Sequence, residues 1–366
     1  MVSSPAFLVL ENSMVFEGRS FGCAVGAEGV VGEVVFTTGM TGYLETLTDP
    51  SYYGQIIVQT FPMIGNYGVI PQDFESARVQ PRAYIVREWC AAPSNFRCGG
   101  DIDSFLSKEG IVGLCGVDTR AITRIIRERG VMNGIITPDP ERVDMDAVKR
   151  YAIKDSVAGV STKERRVVSP DDGRILHKVV LWDFGAKGNI AKCLAAHGCE
   201  VTIVPHDCTA EQITGLRPDG VMLCNGPGDP VDNPGVIAEL KKLTKTGIPI
   251  FGICLGHQLL ALAMGARTQR LKYGHRGANQ PVRDIKSGAL HITTQNHGYT
   301  VVPDSLPEDV GELRYANAND GTCEGIDYRS IPAFTVQFHP EAAAGPLDTG
   351  FLFDRFTDMM RGRKNA

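Results

Sequence analysis

Between residues 178 and 264 the sequence alternates four uninterrupted apolar runs with four amphipathic segments, and this alternation constrains the fold more than any other feature. Apolar runs of this kind predict strands buried on both faces, and helices between them predict a parallel sheet covered on both sides. The predicted elements are strand 178–182, helix 187–197, strand 200–204, helix 210–216, strand 220–223, helix 234–245, strand 248–252 and helix 257–264. In such a sheet, ligands bind beyond the carboxyl ends of the strands.

The first 150 residues have a different pattern, in which short apolar runs are broken by glycines. Strands are predicted at 7–10, 30–36, 55–60 and 83–86, and helices at 145–153 and at 119–129, the latter with Asp118 as N-cap and Gly130 at its end. Residues 154–175 are polar and lack sustained periodicity, which indicates a linker. We therefore predict a strand-rich α+β domain over residues 1–153 and, over residues 176–366, an α/β domain whose mostly parallel sheet is flanked by helices.

Composition narrows the class of protein. Lysine and arginine number 37 against 42 acidic residues, so no basic excess indicates nucleic acid or an anionic membrane as a partner. The ten cysteines form no C-x-x-C pair, which argues against a zinc ribbon, and we expect them to be reduced and mostly buried. Residues 6–10 form a short apolar run without a basic leader, unlike a signal peptide. A cytoplasmic protein is the expectation.

One uncharged stretch, 248–266, is long enough to suggest a membrane span. It contains Pro249, three glycines and the polar pair His257 and Gln258, which suit a lipid-facing helix poorly. A strand, a tight turn and a buried helix explain these residues better.

The segment 252–256, with the sequence GICLG, lies where a predicted strand gives way to a helix. It has the G-x-nucleophile-x-G pattern of a nucleophile elbow, with Cys254 as the nucleophile. The sharp turn strains the backbone of the nucleophile and leaves no room for side chains two residues away on either side. The helix N-terminus favours the thiolate, and the Leu255 N–H would face a developing oxyanion. A merely buried structural cysteine is the alternative, which the flanking glycines disfavour.

A cysteine nucleophile needs a base, and His339 is the candidate. It follows the predicted strand 333–338 and is separated from Glu341 by Pro340. In an extended segment this spacing puts both side chains on one side, so Glu341 can orient the imidazole toward the thiol. A His-Pro-Glu segment by itself is more often a surface loop. His257 is nearer in sequence, but it lies in the first turn of the helix and points away, so we assign it a structural role.

Two further segments suit the same site. The segment NGPGDP at 225–230 follows the third strand, and Gly228 is well placed to supply a second oxyanion donor. It lacks the third glycine of a dinucleotide-binding fingerprint. The segment QNHGY at 295–299 offers amide and backbone groups to a polar ligand, although its spacing favours a β-turn. The chain has no Walker A pattern, so no ATP site is predicted in it.

Three of these segments, FGICLGHQ at 251–258, NGPGDP at 225–230 and QFHPE at 337–341, resemble the class I glutamine amidotransferases. The first half is similar to the N-terminal domain of the carbamoyl phosphate synthetase small chain. That similarity lies in GEVVF at 32–36, MTGY at 40–43, LTDPSY at 47–52, IGN at 64–66 and DTR at 118–120, and continues in DFGAK at 183–187 and GHRGAN at 274–279. The resemblance covers nearly the whole chain.

The resemblance implies that Cys254 forms a γ-glutamyl thioester, that His339 transfers protons and that Glu341 holds His339. By motif position it implies a glutamine pocket made of Ser51, Gly226, Gly228, Leu255, Gln258, Asn296, Gly298 and Tyr299. Ammonia would pass to a separate large subunit that binds ATP, Mg²⁺ and bicarbonate and makes carbamoyl phosphate for arginine biosynthesis, pyrimidine biosynthesis or both. No cofactor or metal is expected in this chain, and neither nucleic acid nor membrane is an expected partner.

The chain departs from the family pattern at a few positions. Ala343 and Ala344 stand where Ser-Pro is common, Leu347 stands where histidine is usual, and Tyr299 stands where phenylalanine also occurs. None of these changes removes a member of the Cys-His-Glu triad. Two alternatives remain. The first is a glutaminase that serves another synthetase, but such glutaminases generally lack an N-terminal domain of this kind. The second is a non-catalytic regulatory partner, and the intact triad argues against it.

Overall fold

The computed structural model describes residues 4–364, and the chain divides into two compact units, Met1–Lys154 and Asp155–Ala366. The strands of the first unit are β1 (Pro5–Leu10), β2 (Val15–Gly22), β3 (Val30–Thr37), β4 (Gln55–Gln59), β5 (Met63–Ile64), β6 (Ala83–Ile85), β7 (Glu88–Trp89), β8 (Val112–Cys115) and β9 (Met132–Thr137). Its helices are α1 (Tyr43–Thr48), α2 (Ile102–Lys108), α3 (Thr119–Arg129) and α4 (Met145–Arg150). The predicted strands and both predicted helices are confirmed, although α4 ends three residues early.

Seven strands of the first unit form a closed barrel in the order β1-β2-β8-β6-β4-β3-β9. The barrel closes because β9 pairs antiparallel with both β1 and β3. Helix α3 begins as predicted, since the Asp118 carboxylate accepts a hydrogen bond from the Ala121 N–H at 2.9 Å, and it ends at Gly130.

The second unit contains ten strands and six helices within the described residues. The strands are β10 (Arg166–Val168), β11 (His177–Trp182), β12 (Cys199–Val204), β13 (Gly220–Leu223), β14 (Ile250–Ile253), β15 (Arg267–Asp284), β16 (Leu290–Val302), β17 (Gly311–Asn317), β18 (Cys323–Tyr328) and β19 (Ala333–Val336). The helices are α5 (Ser156–Val160), α6 (Gly188–Ala196), α7 (Ala210–Gly215), α8 (Pro234–Leu243), α9 (Leu255–Ala263) and α10 (Phe351–Lys364). The segment 154–175, for which we expected a linker, contains α5 and β10.

These ten strands form one sheet in the order β10-β12-β11-β13-β14-β19-β18-β17-β15-β16. The central five, from β12 to β19, are parallel, as the alternating pattern predicted. An antiparallel half follows, which the sequence analysis did not predict. Its longest pair, β15 and β16, changes register near residues 270–275 and 277–280, and such bulges disrupt the period-two pattern that marks a strand.

The stretch 248–266 forms β14 and α9, as predicted, and none of the helices in the described residues has both the length and the apolar character needed to cross a membrane.

All ten cysteines are free thiols, as predicted. The expectation that most of them are buried is wrong: four are buried and six are partly exposed, because those six lie near the surface of the two units.

Candidate active site

The turn between β14 and α9 has the geometry of a nucleophile elbow. Cys254 has φ 53° and ψ −104°, a strained backbone conformation for a residue with a side chain. Its N–H donates to the Val336 carbonyl at 2.9 Å, which fixes the turn against β19. A Cβ atom on Gly252 would lie 3.1 Å from the Gly256 carbonyl oxygen, and one on Gly256 would lie 2.3 Å from the Leu223 carbonyl oxygen. Both glycines are therefore required by close backbone approach.

Gly256→Ala should lower stability by about 1–3 kcal/mol, since the methyl group overlaps the backbone of β13 and α9 must shift away. The same shift should displace Cys254. Denaturant unfolding measures the loss of stability. Gly235→Ala is the matched control, since Gly235 lies in α8 and has open space around its Cβ position. This variant should be at least as stable as the wild type. A Gly256→Ala chain as stable as the wild type would contradict this packing.

His339 and Glu341 form a buried pair beyond the end of β19. The His339 Nδ1 atom lies 2.7 Å from Glu341 Oε1, and both side chains are fully buried. The His339 N–H donates to the Thr294 carbonyl at 2.9 Å, which fixes the segment against β16. Nε2 is buried and has no hydrogen-bond partner among the described residues, but Cys254 lies close enough to raise the pKa of His339. The structure thus brings the three predicted triad residues together.

A fourth charged residue completes this group. Lys187 Nζ lies 3.4 Å from Glu341 Oε1, and both side chains are buried. Burial raises the pKa of Glu341, but the charges of His339 and Lys187 outweigh burial and lower it to about 2, so Glu341 is a carboxylate at neutral pH. Burial and the charge of Lys187 lower the pKa of His339, whereas Glu341 and Cys254 raise it. The raising effects are larger, and the pKa is about 9. Sequence reasoning did not assign Lys187 a role, although it lies in the DFGAK segment that carried the resemblance.

His257 has the structural role that its position predicted. It is fully buried in α9, with Nδ1 2.7 Å from Thr335 Oγ1 and Nε2 3.9 Å from Cys323 Sγ. Burial lowers its pKa to about 3, so its imidazole is neutral.

The loop at 225–230 packs against the start of α9. A Cβ atom on Gly226 would lie 2.7 Å from Leu255 Cδ2, and one on Gly228, which has φ 90°, would lie 2.2 Å from Ser156 Oγ. Within residues 4–364 neither the Leu255 N–H nor the Gly228 N–H donates to another backbone group outside regular helix and strand pairing. Their service as donors to an oxyanion stays a prediction.

Asn296, Gly298 and Tyr299 lie within β16, so the β-turn interpretation of 295–299 is wrong. The segment is held in the sheet by pairing with β15, which opposes Asn296 to Arg276. The Cys254 Sγ lies 3.9 Å from the Asn296 carbonyl oxygen. Gln258, from α9, donates through Nε2 to the Tyr299 carbonyl at 2.8 Å and to Gln337 Oε1 at 2.9 Å. These contacts place part of the predicted glutamine pocket beside the predicted nucleophile.

Ser51 belongs to the first unit. It lies in the short 3-10 helix Pro50–Tyr52, where its N–H donates to the Asp49 carboxylate at 2.8 Å. Its part in a glutamine pocket stays a prediction.

Among the described residues, His275, His297 and Glu324 form a group that could hold a metal ion, with donor atoms within 4.8 Å of one another. The Glu324 oxygens already accept hydrogen bonds from Gln295 Nε2 at 3.0 Å and Asn317 Nδ2 at 3.1 Å. Hydrogen bonding thus accounts for this buried group without a metal.

Comparison with known proteins assigns both units to known families. Residues 180–359 match the family described as glutamine amidotransferase class-I, so the second unit is a domain of that class. Residues 8–136 match the family described as carbamoyl-phosphate synthase small chain, CPSase domain. The chain belongs to the carbamoyl phosphate synthase small chain family.

Curated relatives match the chain along nearly its whole length. The carbamoyl phosphate synthase small chain of Clostridium perfringens is 48% identical over 353 residues, covering 96% of this chain and 98% of the relative. The corresponding small chain of Symbiobacterium thermophilum is 46% identical over 359 residues, covering 95% and 96%. That of Bacillus caldolyticus is 46% identical over 361 residues, covering 97% and 96%. The resemblance found in the sequence is confirmed, and with it the α/β fold class.

Proposed function

We propose that this chain is the glutamine-hydrolysing subunit of carbamoyl phosphate synthase. It hydrolyses L-glutamine to glutamate and ammonia, and the ammonia passes to a large subunit. The observation that carries the proposal is the strained Cys254 at a nucleophile elbow beside the buried His339–Glu341 pair. Membership in the small chain family and the match to the glutamine amidotransferase class-I family support glutamine as the substrate.

In the first half of the reaction, the Cys254 thiolate attacks the side-chain amide carbon of glutamine. The tetrahedral oxyanion accepts hydrogen bonds from the Leu255 and Gly228 N–H groups. The protonated His339 donates its Nε2 proton to the amide nitrogen, the C–N bond breaks, and ammonia leaves. A γ-glutamyl thioester on Cys254 remains.

In the second half, water attacks the thioester carbon, and the neutral His339 accepts a proton from that water. The C–S bond breaks, glutamate leaves, and the thiolate–imidazolium pair forms again. Glu341 stays ionised throughout and holds the Nδ1–H of His339, which fixes the ring orientation. Lys187 supports this state, since its charge lowers the pKa of Glu341.

In the second unit, the proposed glutamine pocket comprises Gly226, Gly228, Leu255, Gln258, Asn296, Gly298 and Tyr299. The proposed partner is the large subunit, which would bind ATP, Mg²⁺ and bicarbonate in the cytoplasm and serve arginine biosynthesis, pyrimidine biosynthesis or both. The relatives' name, small chain, supports the existence of that partner.

Glutamate release from glutamine, measured with and without a co-expressed large subunit, tests this function. A rate that is low alone and rises with the partner supports the proposal, as does carbamoyl phosphate synthesis that uses glutamine only when both chains are present. If no glutamate is released with or without the large subunit, the proposal is refuted in favour of a regulatory role.

The pKa of the His339 side chain should be higher than that of an ordinary histidine. Its pKa is raised to about 9 despite the lowering by burial, so NMR titration should find it protonated at neutral pH, with buried His257 neutral as an internal control. The folded-state pKa exceeds the usual value of 6.5, so protonation stabilises the fold fully below about pH 6.5, and this contribution is lost as the pH rises through about 9. Denaturant unfolding should show that loss in the wild type and not in His339→Asn. A neutral His339 at pH 7 would contradict the assignment.

A further inference from the structure

Glu324 is a fully buried carboxylate that connects four strands of the second unit. It lies on β18, and its Oε2 accepts a hydrogen bond from Gln295 Nε2 of β16 at 3.0 Å. Its Oε1 accepts one from Asn317 Nδ2 of β17 at 3.1 Å and lies 3.3 Å from His275 Nδ1 of β15. Its backbone carbonyl accepts from the Gln337 N–H at 2.9 Å, two residues before His339 in the chain. A carboxylate this deeply buried is tolerated only because each oxygen has partners.

From Glu324, contacts lead through β16 to the proposed glutamine pocket. Gln295 precedes Asn296, whose carbonyl lies 3.9 Å from Cys254 Sγ. Gln295 Oε1 lies 3.1 Å from His297 Nε2, and His297 Nδ1 donates to the Tyr299 carbonyl at 2.8 Å. Glu324 therefore holds the start of the segment that carries the pocket residues, through one amide side chain that lies beside His297.

His275, the partner of Glu324 on β15, is itself held by a second carboxylate. His275 Nε2 lies 2.8 Å from Asp320 Oδ2, so the imidazole bridges two carboxylates and its orientation is fixed. A side chain held in this way cannot move to a new hydrogen-bond partner without breaking another contact.

We propose that Glu324 is a positioning residue for glutamine binding, which acts as a buried hydrogen-bond acceptor that fixes the 295–299 segment of β16 through Gln295. This inference rests on the proposed function, since the segment matters only if glutamine binds there. Its role is to set the affinity for glutamine and not to take part in the bond-breaking steps.

Steady-state glutamine hydrolysis by the full chain with its large subunit tests this. Glu324→Met removes both acceptor oxygens. Gln295 Nε2 keeps its hydrogen bond to Thr293 Oγ1 at 3.2 Å, but Gln295 and Asn317 both lose the carboxylate that accepts from them, so KM for glutamine should rise about tenfold or more. Because the triad is untouched, kcat should stay within about threefold of the wild type. Glu324→Gln keeps an acceptor oxygen, and a rotation of the Gln295 amide restores complementary pairing, so KM should return to within about threefold of the wild-type value.

Glu312→Met is the matched control. It removes a carboxylate from the adjacent strand β17, where Glu312 pairs with Lys286 and Arg329 at the surface, and KM should not change. If Glu324→Met fails to fold, Gln295→Met tests the same link, since it removes only the connecting amide and should raise KM as well.

The outcomes separate the two proposals. A wild-type complex that releases no glutamate refutes the proposed function itself. An active wild type with unchanged KM in folded Glu324→Met, or in Gln295→Met, refutes the positioning role. An equal fall of kcat in Glu324→Met and Glu324→Gln without a change in KM also refutes it. So does one equivalent of tightly bound metal that is present in the wild type and lost in Glu324→Met, because Glu324 would then be a metal ligand.

Discussion

Cys254→Ala should abolish glutamine hydrolysis, with a fall of about 10⁴-fold or more in kcat, the scale of nucleophile removal in other triads. The alanine side chain cannot form the thioester, and His339 alone cannot activate water toward an amide. Because the loss is confined to the amidotransferase reaction, carbamoyl phosphate synthesis from added ammonia by the partner subunit should continue. Glutamate release and ammonia-dependent synthesis are measured side by side.

Cys199→Ala is the matched control for this prediction. Cys199 is also a buried thiol of the second unit, but it begins β12 and takes no part in the proposed site. Its replacement should leave glutamate release unchanged. Substantial hydrolysis by Cys254→Ala would disprove the thioester mechanism.

His339→Asn should have the second-largest effect, a fall of about 10³-fold or more in kcat with a small change in KM. The amide of asparagine can occupy part of the ring's space, but it cannot deliver a proton to the leaving nitrogen or accept one from water. It also removes the imidazole from beside Glu341, which keeps its ion pair with Lys187 at 3.4 Å. Single-turnover measurements should show that acylation itself is slowed.

His257→Asn serves as the comparison, since His257 is equally buried in the same domain but hydrogen-bonds to Thr335. It should lose stability and keep most of its hydrolytic rate per folded molecule. Equal kcat losses in the two variants would mean that His339 acts only through the fold.

Local patterns in the sequence predicted the parts of the molecule that depend on neighbouring residues. The parallel strands follow from unbroken apolar runs, and the elbow follows from glycines on both sides of Cys254, each of which the backbone of β13 or α9 closely approaches. The His339–Glu341 contact at 2.7 Å follows from a spacing of two residues around Pro340.

The features that the sequence did not predict depend on residues far apart in the chain. Gln295–Tyr299 suggests a turn because it contains Asn and Gly, but pairing with β15 holds it extended. Lys187 meets Glu341 only because β11 and β19 end at the same edge of the sheet. The Glu324 network joins four strands, and no local periodicity marks such a residue.

The most direct test of the proposed mechanism is covalent labelling of the full chain with a chloroketone analogue of glutamine, followed by peptide mass mapping. The mechanism predicts one label, on Cys254, and predicts that glutamine slows the labelling because both compete for one pocket. Labelling of another cysteine, or labelling of Cys254 at a rate that glutamine does not change, would contradict it.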